Sequence, residues 1–148
     1  MNPQVQNIIA DLDGISSIED ELQLEKLEDI VRGLSCTVNS ELVVNALLRV
    51  FERFPSGDAY GLFWSILSVL ESIPNYELCL LESIKRQPSE FGLLMINSIL
   101  NSGRVEVSGE SLLSLLKDVA ANEQQPEELR NEARGFIEWQ KNRVNDRC

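Results

Sequence analysis

The chain contains no histidine among its 148 residues. That removes the commonest general base and the commonest metal ligand, so no catalytic, cofactor or metal site is expected, and the chain does not read as an enzyme. Basic residues are also scarce, with 13 Lys and Arg against 24 Asp and Glu, for a net charge of −11. Nucleic acid and anionic membrane surfaces repel such a chain, whereas a basic protein is drawn to it. Acidity of this kind also simply keeps a protein soluble. No apolar run approaches the length that spans a bilayer. The opening stretch MNPQVQNIIADLDG has no basic segment and carries Asp11 and Asp13, which predicts no secretory leader. Cysteines are few and odd in number. Cys36 and Cys79 are expected as small core residues and Cys148 as a free thiol, in the reducing setting of the cytoplasm.

What is present is a globular balance, 43% apolar and 25% charged, at the size of one ordinary domain. The expected organisation is a single all-helical domain over 1–148. It divides into an acidic N-terminal helical segment over 1–38, helical pairs over 39–143 and a tail over 144–148. Pro3 suits the first turn of a short helix ending by Gly14. Ser17 is the expected N-cap of a second helix to about Leu34, with Glu19, Asp20 and Glu21 in its first turn. Asn39 or Ser40 caps a third, which ends at Phe54-Pro55-Ser56-Gly57. Asp58 opens a fourth that stops at Ile73-Pro74, and a fifth runs from about Tyr76 to before Pro88. Ser89 caps a sixth ending at Asn101-Ser102-Gly103. Ser108 or Ser111 opens a seventh, and Pro126 starts an eighth that fades near Arg143.

Val105-Glu106-Val107 reads as a loop, too short and isolated to build a sheet. The fourth and sixth helices are apolar on most sides and are expected at the centre. The eighth has one stripe, Leu129, Ala133, Phe136, Ile137 and Val144, which suits a capping helix. The third, fifth and seventh helices begin near residues 40, 76 and 111. This spacing predicts a HEAT-like stack of helix pairs, with a compact helical bundle as the alternative.

Two motifs invite a sharper reading. Ile8-Ile9-Ala10-Asp11-Leu12-Asp13-Gly14 resembles the Asp-x-Asp-Gly of haloacid-dehalogenase phosphatases, in which an aspartate attacks phosphorus. Nothing downstream alternates strand with helix, so a short helix with a glycine stop is the expectation, and a carboxylate-based hydrolase is the remote alternative. As a calcium loop the stretch fails at Ile15 and Leu22, where oxygen ligands are needed. The aromatics Tyr60, Phe63, Trp64 and Tyr76 around the fourth helix are expected in the core. Trp139 lies off the stripe of its helix and is expected to be partly exposed.

The acidic second helix is more informative. Residues 1–40 hold eight acids against Lys26 and Arg32, while 127–148 hold five of each sign. A helical wheel puts Glu21, Glu25, Glu28 and Asp29 on one face, opposite Leu24, Leu27 and Val31. Glu21 with Glu25, and Glu25 with Asp29, repel at i,i+4, and Arg32 relieves Glu28. A charge run of this kind is usually a solvated face, and the uncompensated repulsion also suits a basic partner.

Three segments carry a resemblance to a known family: Gly61–Pro74 (GLFWSILSVLESIP), Leu81–Glu90 (LESIKRQPSE) and Leu94–Gly103 (LMINSILNSG). Over about residues 40–120 the chain resembles bacterial immunity proteins of polymorphic-toxin and contact-dependent-inhibition systems, nearest to the immunity protein 30 family. The resemblance implies an all-helical protein that binds and neutralises a cognate toxin domain; the sequence leaves its oligomeric state open, and a monomer is the expectation. Such a partner is expected to be basic, because many toxin domains act on nucleic acid, as nucleases do. The expected toxin contacts are Glu21, Glu25, Glu28 and Asp29. Glu71, Glu82 and Asn97, on the polar side of the central helices, form an alternative surface. A HEAT-like adaptor for another basic protein is the competing function.

Overall fold

A computed structural model describes residues 3–34 and 40–146, with side chains to residue 143. Eight helices and one two-stranded ribbon make up the described residues: α1 (Pro3–Asp13), α2 (Glu21–Leu34), α3 (Glu41–Arg53), α4 (Leu62–Ser72), α5 (Tyr76–Arg86), α6 (Glu90–Asn101), β1 (Glu106–Val107), β2 (Glu110–Ser111), α7 (Leu112–Ala121) and α8 (Glu127–Asp146). None of the helices is long and apolar enough to cross a membrane. The expectations for Cys36, Asn39, Val144 and Cys148 lie outside the described residues and side chains.

Local chemistry sets most of the boundaries. Ser89 Oγ accepts from Gly92 N at 2.9 Å and Ser111 Oγ from Ser114 N at 3.2 Å, so both serines cap as expected. Gly92 is needed for a further reason. A Cβ there would sit 2.9 Å from Ser89 Oγ and 3.4 Å from Ile84 Cγ1.

Three sequence expectations are corrected by local geometry. First, α2 starts at Glu21 and not beside Ser17. Ser17 Oγ is taken up by a tight turn, accepting from Glu19 N and Asp20 N, and Asp20 becomes the cap, its Oδ1 accepting from Leu22 N at 3.0 Å. Second, Asp58 does not open α4. Ala59 (φ 50°), Tyr60 (φ 56°) and Gly61 (φ 90°) form a left-handed turn closed on the Asp58 carbonyl, and the helix begins at Leu62. Third, 105–107 is not simply a loop. Ser108 (φ 53°) and Gly109 (φ 80°) close a minimal hairpin pairing Glu106 with Ser111 and Val107 with Glu110, and Val107 is buried.

The helices stack in two layers. Each helix packs on its sequence neighbour in the pairs α1/α2, α3/α4, α5/α6 and α7/α8. In one layer α1 packs on α3 and α3 on α5, and in the other α2 packs on α4, α4 on α6 and α6 on α8. These are stacked pairs, the arrangement expected of a helical-repeat chain, rather than an up-down bundle. The central helix is α3, which touches α1, α4, α5 and α6 and buries Val43, Val44, Ala46, Leu47, Leu48, Val50 and Phe51. As expected, α6 is covered on most sides. The expectation for α4 is corrected, because its second layer position leaves Trp64, Ser65, Ser68 and Glu71 exposed.

The pairs are joined by an aromatic cluster. Phe51 of α3, Phe63 of α4 and Phe91 of α6 lie with ring centroids 5.1–5.6 Å apart, a separation at which each pair adds roughly 0.5–1.5 kcal/mol beyond area burial. Polar ties lock α3 to its neighbours α1 and α5. Arg49 grips Asp13 with two bonds of 3.0 and 3.1 Å, and Arg53 donates to the carbonyls of Leu12 and Ile15, capping the C-terminus of α1. Glu52 accepts from Ser83 Oγ and from both Arg86 Nε and Nη2, tying α3 to α5. The Asp-x-Asp-Gly stretch is therefore the end of a helix, with Asp13 held by Arg49 and Asp11 within 3.5 Å of Lys26. Cys79 is buried, and desolvation first, then the charges of Glu41 and Glu82, pushes its thiol up from the ordinary value.

Candidate protein-binding surface

The sequence-expected acids fall in different places. Glu21, Glu25, Glu28 and Asp29 are all exposed on α2, whose opposite side buries Leu27, Val31 and Leu34 in the core. Arg32 bonds Glu28 at 2.7 Å and reaches Asp29 at 3.5 Å. Glu21 and Glu25 have no ion-pair partner among the described residues. Among the described ion pairs, compensation reaches only Glu28 and Asp29, at the far end of the row, and the repulsion between Glu21 and Glu25 stands.

The alternative surface does not hold together. Glu71 lies in the last turn of α4, in the same layer as α2, where partial burial pushes its carboxyl up from the ordinary value. Glu82 is exposed on α5, in the other layer, near Glu41 and Cys79. Asn97 does not project at all. It is buried under α8, its Oδ1 accepting from Gln140 Nε2 at 2.7 Å, because α6 needs a polar partner where the buried Gln140 lands.

A second set of residues joins the α2 face. The left-handed turn before α4 thrusts Tyr60 outward, 77% exposed, and its hydroxyl donates to Glu19 Oε2 at 2.9 Å. That hydrogen bond first, and then the carboxylate charge, raises the tyrosine above its ordinary pKa. A non-glycine residue in this backbone region costs about 1–2 kcal/mol, a strain that tends to gather at functional positions. Between the turn and α2 lies a hollow of about 390 Å³ lined by Leu24, Glu28, Tyr60, Leu62 and Ser65. Leu22, 76% exposed, stands one residue from Glu21. Acid, tyrosine and an exposed leucine thus share one end of the second layer, a composition suited to a basic protein surface with an apolar centre.

The expectation that Tyr60 and Trp64 are core residues is corrected. Trp64 is 52% exposed and rests edge-on against Phe91, with centroids 5.0 Å apart. Adjacent helical residues diverge by about 100°, so Phe63 and Trp64 cannot both face the core of a helix covered on one side. Phe63 takes the core position, fully buried, and Tyr76 is also buried. Burial first, then the charges of Glu71 and Glu77, pushes the Tyr76 hydroxyl up to about 12. Trp139 is half-exposed as expected, its Nε1 donating to Asn101 Oδ1 at 3.3 Å. The one signal in the sequence for the outward tyrosine is the pair Gly57 and Gly61 bracketing it.

Among the described residues no group of three or more His, Cys, Asp or Glu is placed to hold a metal ion. Compared with protein-family models, with curated proteins and with solved structures, the chain matches none.

Proposed function

We propose that the chain is an immunity protein that acts in the cytoplasm, binding a cognate bacterial toxin domain through protein–protein contact and so neutralising it. The observation that carries the reading is the exposed acidic row of α2, in which Glu21 and Glu25 have no ion-pair partner among the described residues, standing beside the strained, outward Tyr60. Opposite fields speed the encounter of such a face with a basic domain, and the tyrosine and Leu22 supply contact area once it has docked. The resemblance of residues 40–120 to immunity proteins supports the same reading.

Co-expression with the product of the adjacent upstream gene tests it: the chain is expected to protect cells that this product otherwise kills. With purified proteins, Glu21→Gln/Glu25→Gln/Glu28→Gln is expected to slow association and flatten its dependence on salt. Failure to protect removes the immunity reading. Association kinetics that ignore salt, in wild type and variant alike, remove the α2 face from the interface.

The stacked-pair architecture also favours a second reading, a HEAT-like adaptor for another basic protein. A partner recovered from the native cell that is encoded away from this gene would select it.

A further inference from the structure

A longer groove runs along the second layer, away from α2. Its larger part, about 710 Å³, lies between α6 and α8, and its floor includes Asn97 and Phe136. A smaller part of about 370 Å³ continues past Phe91 to the turn before α4. The two share Glu90, Glu132 and Phe136, so they form one channel. Trp64 stands at one end and Trp139 at the other, each 52% exposed.

The charge of the channel has one sign. Glu128 and Glu132 line it from α8, one helical turn apart, Glu90 lines it from α6 and Asp58 from the turn before α4, and no Lys or Arg contributes to the lining. Glu90 is held in place, since its Oε2 accepts from Gly57 N at 2.9 Å. Glu128, Glu132 and Asp58 have no ion-pair partner among the described residues. On α8, Arg134 donates to Asn131 at the channel wall and to the Ala120 carbonyl, Arg143 donates to Asn101, and Arg130 does not contribute to the lining.

We infer that this channel seats an arginine-bearing segment of the partner protein. A flat, weakly hydrated guanidinium stacks on an indole face and forks onto a carboxylate, and the channel offers both kinds of surface, carboxylates along its walls and a tryptophan at each end. Lysine, a strongly hydrated point charge, cannot fork onto a carboxylate and stacks less readily on an indole. The α2 face then steers the partner and the channel holds it. The proposal rests on the reading of the chain as a binder of a basic protein, and it names where that partner's arginines lodge.

The test uses a fluorescently labelled, end-blocked hexa-arginine peptide and its hexa-lysine counterpart. Anisotropy gives the affinity and tryptophan emission gives the location, because the chain's two tryptophans both line the channel. Hexa-arginine is expected to bind several-fold more tightly than hexa-lysine and to change tryptophan emission. Glu128→Gln/Glu132→Gln is expected to weaken its binding about tenfold. Glu21→Gln/Glu25→Gln, which removes the same charge, is expected to change it less than about twofold. Trp139→Leu is expected to narrow the gap between arginine and lysine. Circular dichroism melting checks that each variant is folded. Equal weakening by the two charge variants, or binding that leaves tryptophan emission unchanged, overturns the proposal. If the peptide results hold while the chain fails to protect cells, the immunity reading falls and the channel stands.

Discussion

Replacing Phe91 with alanine tests the joint between the α3/α4 and α5/α6 pairs. Phe91 is 6% exposed, stacks on Phe51 at 5.4 Å, meets Phe63 edge-on at 5.6 Å and supports Trp64 at 5.0 Å. Truncating a buried phenylalanine costs about 3–5 kcal/mol, made up of lost transfer energy and the cavity left behind. The ring–ring contacts are contained in that figure. Against a total stability of roughly 5–15 kcal/mol, the loss is large. At about 2–4 °C per kcal/mol for a chain near this size, the midpoint should fall by about 6–20 °C.

Urea unfolding followed by far-ultraviolet circular dichroism measures the loss directly, and an unchanged slope shows that the two-state comparison is sound. In a Trp139→Phe background Trp64 is the remaining tryptophan, and its emission should move to the red once its aromatic support is gone. Leu22→Ala, at a 76% exposed position, should stay within about 0.5 kcal/mol of wild type. A loss below about 1 kcal/mol for Phe91→Ala would refute the cluster as the element that holds α3, α4 and α6 together.

Two glycines should respond oppositely to alanine. Gly135→Ala meets nothing within 4 Å in the middle of α8 and should gain about 0.5–1 kcal/mol in thermal or urea unfolding, whereas Gly92→Ala must displace Ser89 Oγ or Ile84 and should be destabilising. On α2, Glu25→Gln removes two like-charge contacts and should gain about 0.4–1 kcal/mol at low salt, shrinking as salt screens them; Glu28→Gln should instead lose about 0.3–0.5 kcal/mol with its Arg32 pair, and reversed signs in urea titrations would contradict the charge row. Partial burial raises the Glu71 carboxyl pKa, so its charged form is disfavoured in the folded chain; Glu71→Gln should be more stable than wild type at neutral pH, with the difference vanishing as pH falls below the ordinary carboxylate range, as read from melting of the two proteins across pH.

The elements of this protein were legible from residues within a few positions of one another. Prolines 55, 74, 88 and 126 and the caps Ser89 and Ser111 act through one turn of backbone, so most ends of α3 to α8, though not the start of α4, and the all-helical class follow from local chemistry. The net charge and the acidic row of α2 are equally local. The places where reading failed locally, at Ser17 and Asp58, are those where a serine hydroxyl or a run of left-handed residues chose a turn over an extra helical turn. Tertiary structure alone decided which apolar face is covered. A helix as apolar as α4 is compatible with full or one-sided burial, and only the packing of α2 and α6 beside it left Trp64 in solvent and put Phe63 inside. Likewise Asn97 turned inward only because Gln140, 43 positions later, supplies its hydrogen bond. The channel that joins Asp58, Glu90, Glu132 and Trp139 is made by side chains from three separate helix pairs, and its shape and single sign of charge come into being when those pairs stack. Burial and cleft formation depend on contacts between segments far apart in the chain, and local pattern carries no information about which segments will meet.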